Sequence, residues 1–286
     1  ATFPASLVAL AGKLRSVATF PETDPVDYSF PPADIGRLHQ ITTPHGAACI
    51  DDQTWTDLLL DDYAARLSPQ VSIFGRQVLH QRLRAGLGDS DCAALGERLR
   101  ALMADPACLQ AQHRACQSLR HADTEVANLL FAQPDLAIPA WAGRAWLLAA
   151  ILVATVAAAA WTPIAWLGTC AVLYLLMATQ LAYSDRVQAF EGEMKSVQML
   201  LRVCSLLAVR KEPMLAPFAE LGRRAGALNR RFSRSMSVRT TPGAAIYADW
   251  FLLSNVEHYF RSARTISENR SFLRECFTLC ANLEAD

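Results

Sequence analysis

The residues best suited to chemistry are six arginines. Arg223, Arg224, Arg230, Arg231, Arg234 and Arg239 occupy a stretch with no Asp or Glu between Glu220 and Asp249. A guanidinium is a planar fork that matches phosphate oxygens. Such a run suits the phosphates of a nucleic acid or of anionic lipid headgroups. A solvated helix face, or a docking surface for another domain, would carry the same residues, so all three readings stay open.

Other chemical signals are weak. The eight cysteines are Cys49, Cys92, Cys108, Cys116, Cys170, Cys204, Cys276 and Cys280. They form no C-x-x-C pair and have no histidine at ligand spacing. Buried free thiols in a reducing compartment are the expected outcome. The six histidines are dispersed, with no H-E-x-x-H spacing, and Glu257 and His258 point to different helix faces. A phosphate-cradling loop needs glycines followed by Lys-Ser/Thr, whereas Gly12-Lys13 is followed by Leu14. No catalytic, cofactor-binding or metal-binding residues are expected in this chain.

The feature that must position everything else is a pair of apolar segments, Ala145 to Trp161 and Ile164 to Tyr183, free of Asp, Glu, Lys, Arg and His. As helices they would reach about 25 and 30 Å, against a bilayer core of about 30 Å. Pro163 lies in the turn between them, and Trp141, Trp146, Trp161 and Trp166 cluster near the ends, as an aromatic belt would. Positive flanks at Arg144, Arg186, Lys195 and Arg202 predict both long arms on the cytoplasmic side. Ala150, Ala154 and Ala158 on one helix, with Gly168 and Ala171 on the other, are the expected close-packing residues. A core hairpin buried in a large soluble helical protein is the competing reading.

Formal net charge is zero and hydrophobic residues make up 52% of 286. Overall charge therefore predicts no polyanionic partner. The apolar pair explains much of the excess over the usual 45–50% or so. No segment alternates with the period of a strand, so the class is all-α. Residues 1–49 read as a short amphipathic helix, with Leu7, Leu10, Leu14 and Val17 at helical spacing, and a proline-rich connector from Phe20 to Pro44. Residues 50–140 read as the first half of a helical core and 141–183 as a transmembrane hairpin. Residues 184–286 read as long helices completing the core. Within the first half, Asp89-Ser90-Asp91 is the expected cap of a helix ending near Pro106. Within the second, one helix runs from Ser184 to Val209, another from about Pro217 to Arg234, and a last one from about Ala245 to the end. The chain begins without Met and stops inside an apparent helix, as a piece of a longer protein would.

The segments Ile50–Leu58, Ser72–Leu79 with Leu83-Arg84, and Leu95–Leu99 together resemble the core "lever" domain of the MutS family of DNA mismatch-repair ATPases. Leu273 to Glu284 is similar to the helix preceding that family's ATPase domain. The hairpin departs from the soluble repair proteins and looks like a branch of MutS-related proteins with transmembrane helices inside this core. The resemblance covers about residues 50–131 and 184–286. It implies ATP and Mg only in a domain beyond Asp286, a homodimer at full length, and DNA as a partner. That family's Phe-x-Glu mismatch reader is matched in letters alone by Phe218-Ala219-Glu220, in the wrong region.

These readings converge on a membrane-anchored, all-α core or lever bundle at the bacterial inner membrane, inserted through residues 145–161 and 164–183. Its role would be to relay nucleotide state. The alternative is a membrane-anchored helical scaffold with no DNA or nucleotide role. Gly75 is expected to admit a close neighbour, Arg98 to pair with an acidic group or cap a helix C-terminus, and Asp51 and Asp52 to sit at a helix start.

Overall fold

The computed structural model describes residues 28–44, 49–132, 138–210, 215–232 and 244–286. The amphipathic stretch expected over residues 4–19, the connector over residues 20–27, and Arg234 and Arg239 lie outside the described residues. Among the described residues every regular element is a helix.

The organising element is a single helix of 43 residues, Ala165–Leu207, about 65 Å long. It is named α9 here, and the others follow in chain order. Before it come α1 (Pro32–Thr42), α2 (Asp52–Asp57), α3 (Leu60–Leu67), α4 (Ile73–Ala85), α5 (Asp89–Ala104), α6 (Pro106–Cys116), α7 (Ala127–Phe131) and α8 (Trp146–Ala159). After it come α10 (Ala216–Phe232), α11 (Ala244–Phe251), α12 (Ser254–Glu268) and α13 (Arg270–Ala285).

The two halves of α9 live in different surroundings. Its second half is the axis of the main core, with Phe190, Met194, Val197, Leu200, Leu201, Cys204 and Leu207 buried. Helices α1, α4, α6, α7, α10, α12 and α13 contribute to that core, with Leu119, Ala122 and Val126 from the segment between α6 and α7. Phe277 of α13 stands edge-on to Phe74 of α4 at 5.6 Å and to Phe131 at 5.3 Å, an arrangement that suits ring quadrupoles. The first half of α9 packs against α8, with α11 and α12 also on α9, and a smaller cluster of Ala145, Val172, Leu176, Val187, Leu253, Val256 and Phe260 closes the base of that hairpin.

Local signals set several boundaries. Asp51 caps α2 by accepting from Thr54 N–H at 2.6 Å. Asp105 accepts from Ala107 and Cys108 N–H, with Pro106 at the first helical position of α6. Gly86, at φ +73°, ends α4 in a conformation that favours glycine.

Four expectations need correction. The connector is not irregular throughout, because Pro31 and Pro32 start α1, which buries Leu38 in the main core. The N-cap of α5 is Gly88, with Asp89 and Asp91 inside the first turn, where their charge meets the helix dipole. The closing segment is three helices rather than one. Leu253 adopts a left-handed φ of 49° between α11 and α12, and Asn269 breaks α12 from α13. On α8 the packing face is Leu148, Leu152, Thr155 and Ala159, while Ala150, Ala154 and Ala158 are exposed. Gly168 does meet that face, against Thr155, whereas Ala171 points away.

Candidate functional site: an apolar hairpin and an arginine face

The hairpin is exposed, and no other part of the described residues covers it as a core would. Trp161 is 81% and Ile164 78% exposed at the turn, and Ile151, Val153, Leu167, Tyr174, Leu175 and Leu181 are open along the flanks. Only 17% of the most apolar window of α9 is buried. An apolar surface of this extent is a large liability in water and marks an interaction surface. By length and composition, α9 is the one helix among the described residues able to cross a membrane. Helix α8, at 14 residues and about 21 Å, is shorter than the span expected for it.

The threonine hydroxyls inside the hairpin are satisfied locally, whereas the Gln180 side-chain oxygen is buried without a hydrogen-bond partner. The hydroxyls of Thr155, Thr162, Thr169 and Thr179 each donate to a main-chain carbonyl three or four residues back, at 2.8–3.3 Å. This is what a medium without hydrogen-bonding solvent requires. At the base, Trp141 and Tyr183 both stand edge-on to Phe260, at 5.5 and 5.3 Å. The tryptophans thus mark both ends of the hairpin, as their spacing predicts.

The arginines lie at the other end of the molecule. Phe218, Leu221, Gly222, Ala225, Leu228 and Phe232 turn one side of α10 into the core. Arg223, Arg224, Arg230 and Arg231 therefore share the exposed side. Gly222 permits the close approach to α9, since a Cβ there would collide with that of Ala208. The Gln198 side chain of α9 donates to Phe232 O at 3.1 Å, which fixes the other end of α10. Gln198 is about 22 Å along α9 from Tyr183 at the hairpin base, and Ala208 is farther still. That separation exceeds the screening length of about 8 Å at physiological ionic strength. It weighs against lipid headgroups as the partner of this face.

The four guanidinium groups are not equivalent. Arg224 donates to Asn269 Oδ1 at 3.2 Å and lies 4.3 Å over the Phe272 ring. Among the described residues, Arg223, Arg230 and Arg231 form no ion pair.

A second polar constellation joins the chain's two arms. The Ser72 hydroxyl donates to Glu284 Oε2, and Ser72 N–H donates to Glu284 Oε1 at 3.4 Å. Burial pushes the Glu284 carboxyl up to about 7, against the pull of the Ser72 and Gly75 hydrogen bonds and of Arg120. Beside it, Asp286 pairs with Arg82 at 2.8 Å and Arg98 at 2.9 Å, giving Arg98 the acidic partner expected for it. Sequence reasoning missed Ser72, Arg82 and Glu284 because nothing local announces a contact across so long a chain separation.

A third cluster surrounds Trp55. Its indole N–H donates to Asp61 at 2.9 Å, Arg84 lies 4.4 Å over the ring, and the His80 ring packs on it at 4.8 Å, tilted by 47°. Burial, with help from Arg84 and His39, holds His80 down to about 4, so it is neutral at physiological pH. The neighbouring cleft of about 350 Å³ is lined by Ser68 and Arg76 among others. No hydrogen bond joins Ser68 to His80 among the described residues, so a nucleophile and base are not paired there.

No family model matches this sequence, and no curated protein or solved structure is similar to it. Function therefore rests on the chain's own geometry. Among the described residues no group of three His, Cys, Asp or Glu side chains could hold a metal ion. The cysteines divide: Cys204, Cys276 and Cys280 are buried, with Cys204 and Cys280 sulfurs 3.3 Å apart, but Cys49, Cys92 and Cys170 are exposed. Uniform burial was the wrong expectation, since helix ends and the hairpin surface hold three of them.

Proposed function

We propose that the hairpin of α8 and α9 lies in a lipid bilayer and anchors a helical lever, whose arginine face on α10 meets the phosphates of a nucleic acid. The carrying observation is the exposed apolar surface of the hairpin, continuous through one unbroken helix with a well-packed core. A membrane removes that surface from water, while the continuous helix couples the buried end to the polar end. Arg144 and Arg186 flank the base and support a cytoplasmic lever, in a bacterial inner membrane, with both arms on that side.

In its most specific form, drawn from the MutS resemblance, the lever carries nucleotide state from an ATPase domain beyond Asp286 to bound DNA, within a homodimer. The clamp of Glu284 and Asp286 on α4 and α5 supports such a role, because it ties the last helix to the first half of the core. A membrane-anchored scaffold without DNA or nucleotide is the second reading. The engagement of Arg224 by Asn269 and Phe272 favours it, since part of the arginine set then serves structure.

Fractionation tests the anchor. The full chain is expected in membranes after alkaline carbonate washing and to need detergent for release. A folded chain that stays in solution without detergent overturns the anchor. Salt-titrated binding to duplex DNA separates the two readings of the arginine face, because counterion release makes phosphate contacts strongly salt-dependent.

A further inference from the structure

We propose that α11 is an interfacial helix, seated in the headgroup layer beside the hairpin with Tyr247, Trp250, Phe251 and Leu252 turned toward lipid. The inference rests on the bilayer reading of the hairpin and adds a third membrane-contacting element to it.

The first observation is exposure. Tyr247 is 68% exposed, and Trp250, Phe251 and Leu252 are each more than two-fifths exposed. The rings of Tyr247 and Phe251, one turn apart, stack nearly parallel at 14°. Asp249 is the only charged residue of α11, and it is half-buried and engaged within the protein. A short helix with this face gains nothing in water.

The second observation is position. Tyr259 of α12 packs on Phe190 of α9 at 4.8 Å, and farther along the chain the Cys204 thiol reaches Cys276 O of α13. From α12 into α13 the chain therefore advances along α9 away from the hairpin, which leaves the start of α12 at the hairpin end. Leu253, just before that start, is fully buried in the cluster that includes Ala145, Val172 and Leu176. Its left-handed backbone turns the chain sharply there, so α11 leaves the axis of α12 at the level of the hairpin base. Helix α11 packs against α9, on which Tyr174, Met177 and Leu181 are also exposed.

The third is chemistry. Tyr and Trp have an apolar body and one polar handle, and the bilayer boundary is where both are satisfied. Trp141 and Tyr183 occupy the same level on the hairpin base.

Photocrosslinking tests this on the full chain in vesicles of phosphatidylethanolamine and phosphatidylglycerol. Benzoylphenylalanine replaces Tyr247, or Tyr174 on the hairpin, or Met103 on the distant α5, all well exposed. Lipid adducts at position 247 severalfold above those at 103, and comparable to those at 174, are expected. Adducts at 174 with only background at 247 overturn the inference and leave the hairpin in the membrane. Background at both positions overturns the hairpin reading and this inference with it. A crosslink from 247 to a second copy of the chain, without lipid adduct, assigns the face to self-association and also overturns it.

Discussion

Gly75 and Glu284 meet where α4 packs on α13: a Cβ placed on Gly75 would lie 2.8 Å from the Glu284 Cβ and collide with Val71 as well. That approach brings Ser72 to the Glu284 carboxyl, so one glycine sets both the spacing and the polar contact between the arms.

Gly75→Ala is therefore expected to destabilise the fold, by about 1–3 kcal/mol, as an overpacked site does. Gly226 is the control. It sits inside α10 with nothing within 4 Å of a Cβ. Gly226→Ala should stabilise by about 0.5–1 kcal/mol through helix propensity alone. Thermal unfolding followed by circular dichroism in detergent reads both. Equal effects from the two substitutions would remove the special role of Gly75.

Glu284 predicts a pH dependence. Its folded-state pKa is raised to about 7 from 4.5 by burial. The folded chain then holds a proton that the unfolded chain releases between those values. Stability from this group is full below about pH 4.5 and falls as pH rises to about 7. Burial and the nearby Glu125 raise Glu193 to about 7 as well, which adds a slope of the same sign. Glu284→Gln keeps the neutral shape without the ionisation. It should flatten part of the decline, by roughly 1–2 kcal/mol after discounting for partial exposure. An unchanged decline between pH 5 and 8 would show that the carboxyl is solvated.

Cys170 reports on the hairpin directly. It is exposed on the fold, like Cys49 and Cys92. A thiol sunk in hydrocarbon does not meet a water-soluble reagent. In permeabilised membranes a membrane-impermeant maleimide is expected to modify Cys49 and Cys92 and to spare Cys170. Labelling of Cys170 at the rate of Cys92 in the folded protein would put the hairpin in water.

The legibility of this chain follows the range of the interaction. Class and the long run of α9 are visible in the sequence because helix periodicity and the absence of breakers act over a few residues. The side of α10 that carries Arg223, Arg224, Arg230 and Arg231 is visible for the same reason. The break at Leu253 is not, because a leucine at positive φ carries no sequence mark and is held there by burial in the tertiary cluster. The Ser72 to Glu284 bond is equally silent, since it depends on which distant helices cross. Even the hairpin's packing face escaped: alanines suggest a close seam, but Leu148, Leu152, Thr155 and Ala159 form it.

The arginine face yields the decisive prediction for partner chemistry. If Arg223, Arg230 and Arg231 each contact one phosphate of duplex DNA, each adds about 0.9 to the slope of log affinity against log salt. Replacing all three with alanine should lower that slope by at most about 3 and weaken binding at low salt uniformly across sequences. These side chains are exposed and unpaired in the described fold, so stability should change by less than about 0.5 kcal/mol. Arg224→Ala should behave differently. It removes the hydrogen bond to Asn269 and the stacking on Phe272, so it should cost stability, about 0.5–1.5 kcal/mol, together with any loss of affinity. Electrophoretic mobility shifts across a salt series, paired with thermal unfolding of each variant, separate the two effects. A chain that binds no DNA even at low salt would assign the whole face to solvent or to a protein neighbour, and the scaffold reading would then stand.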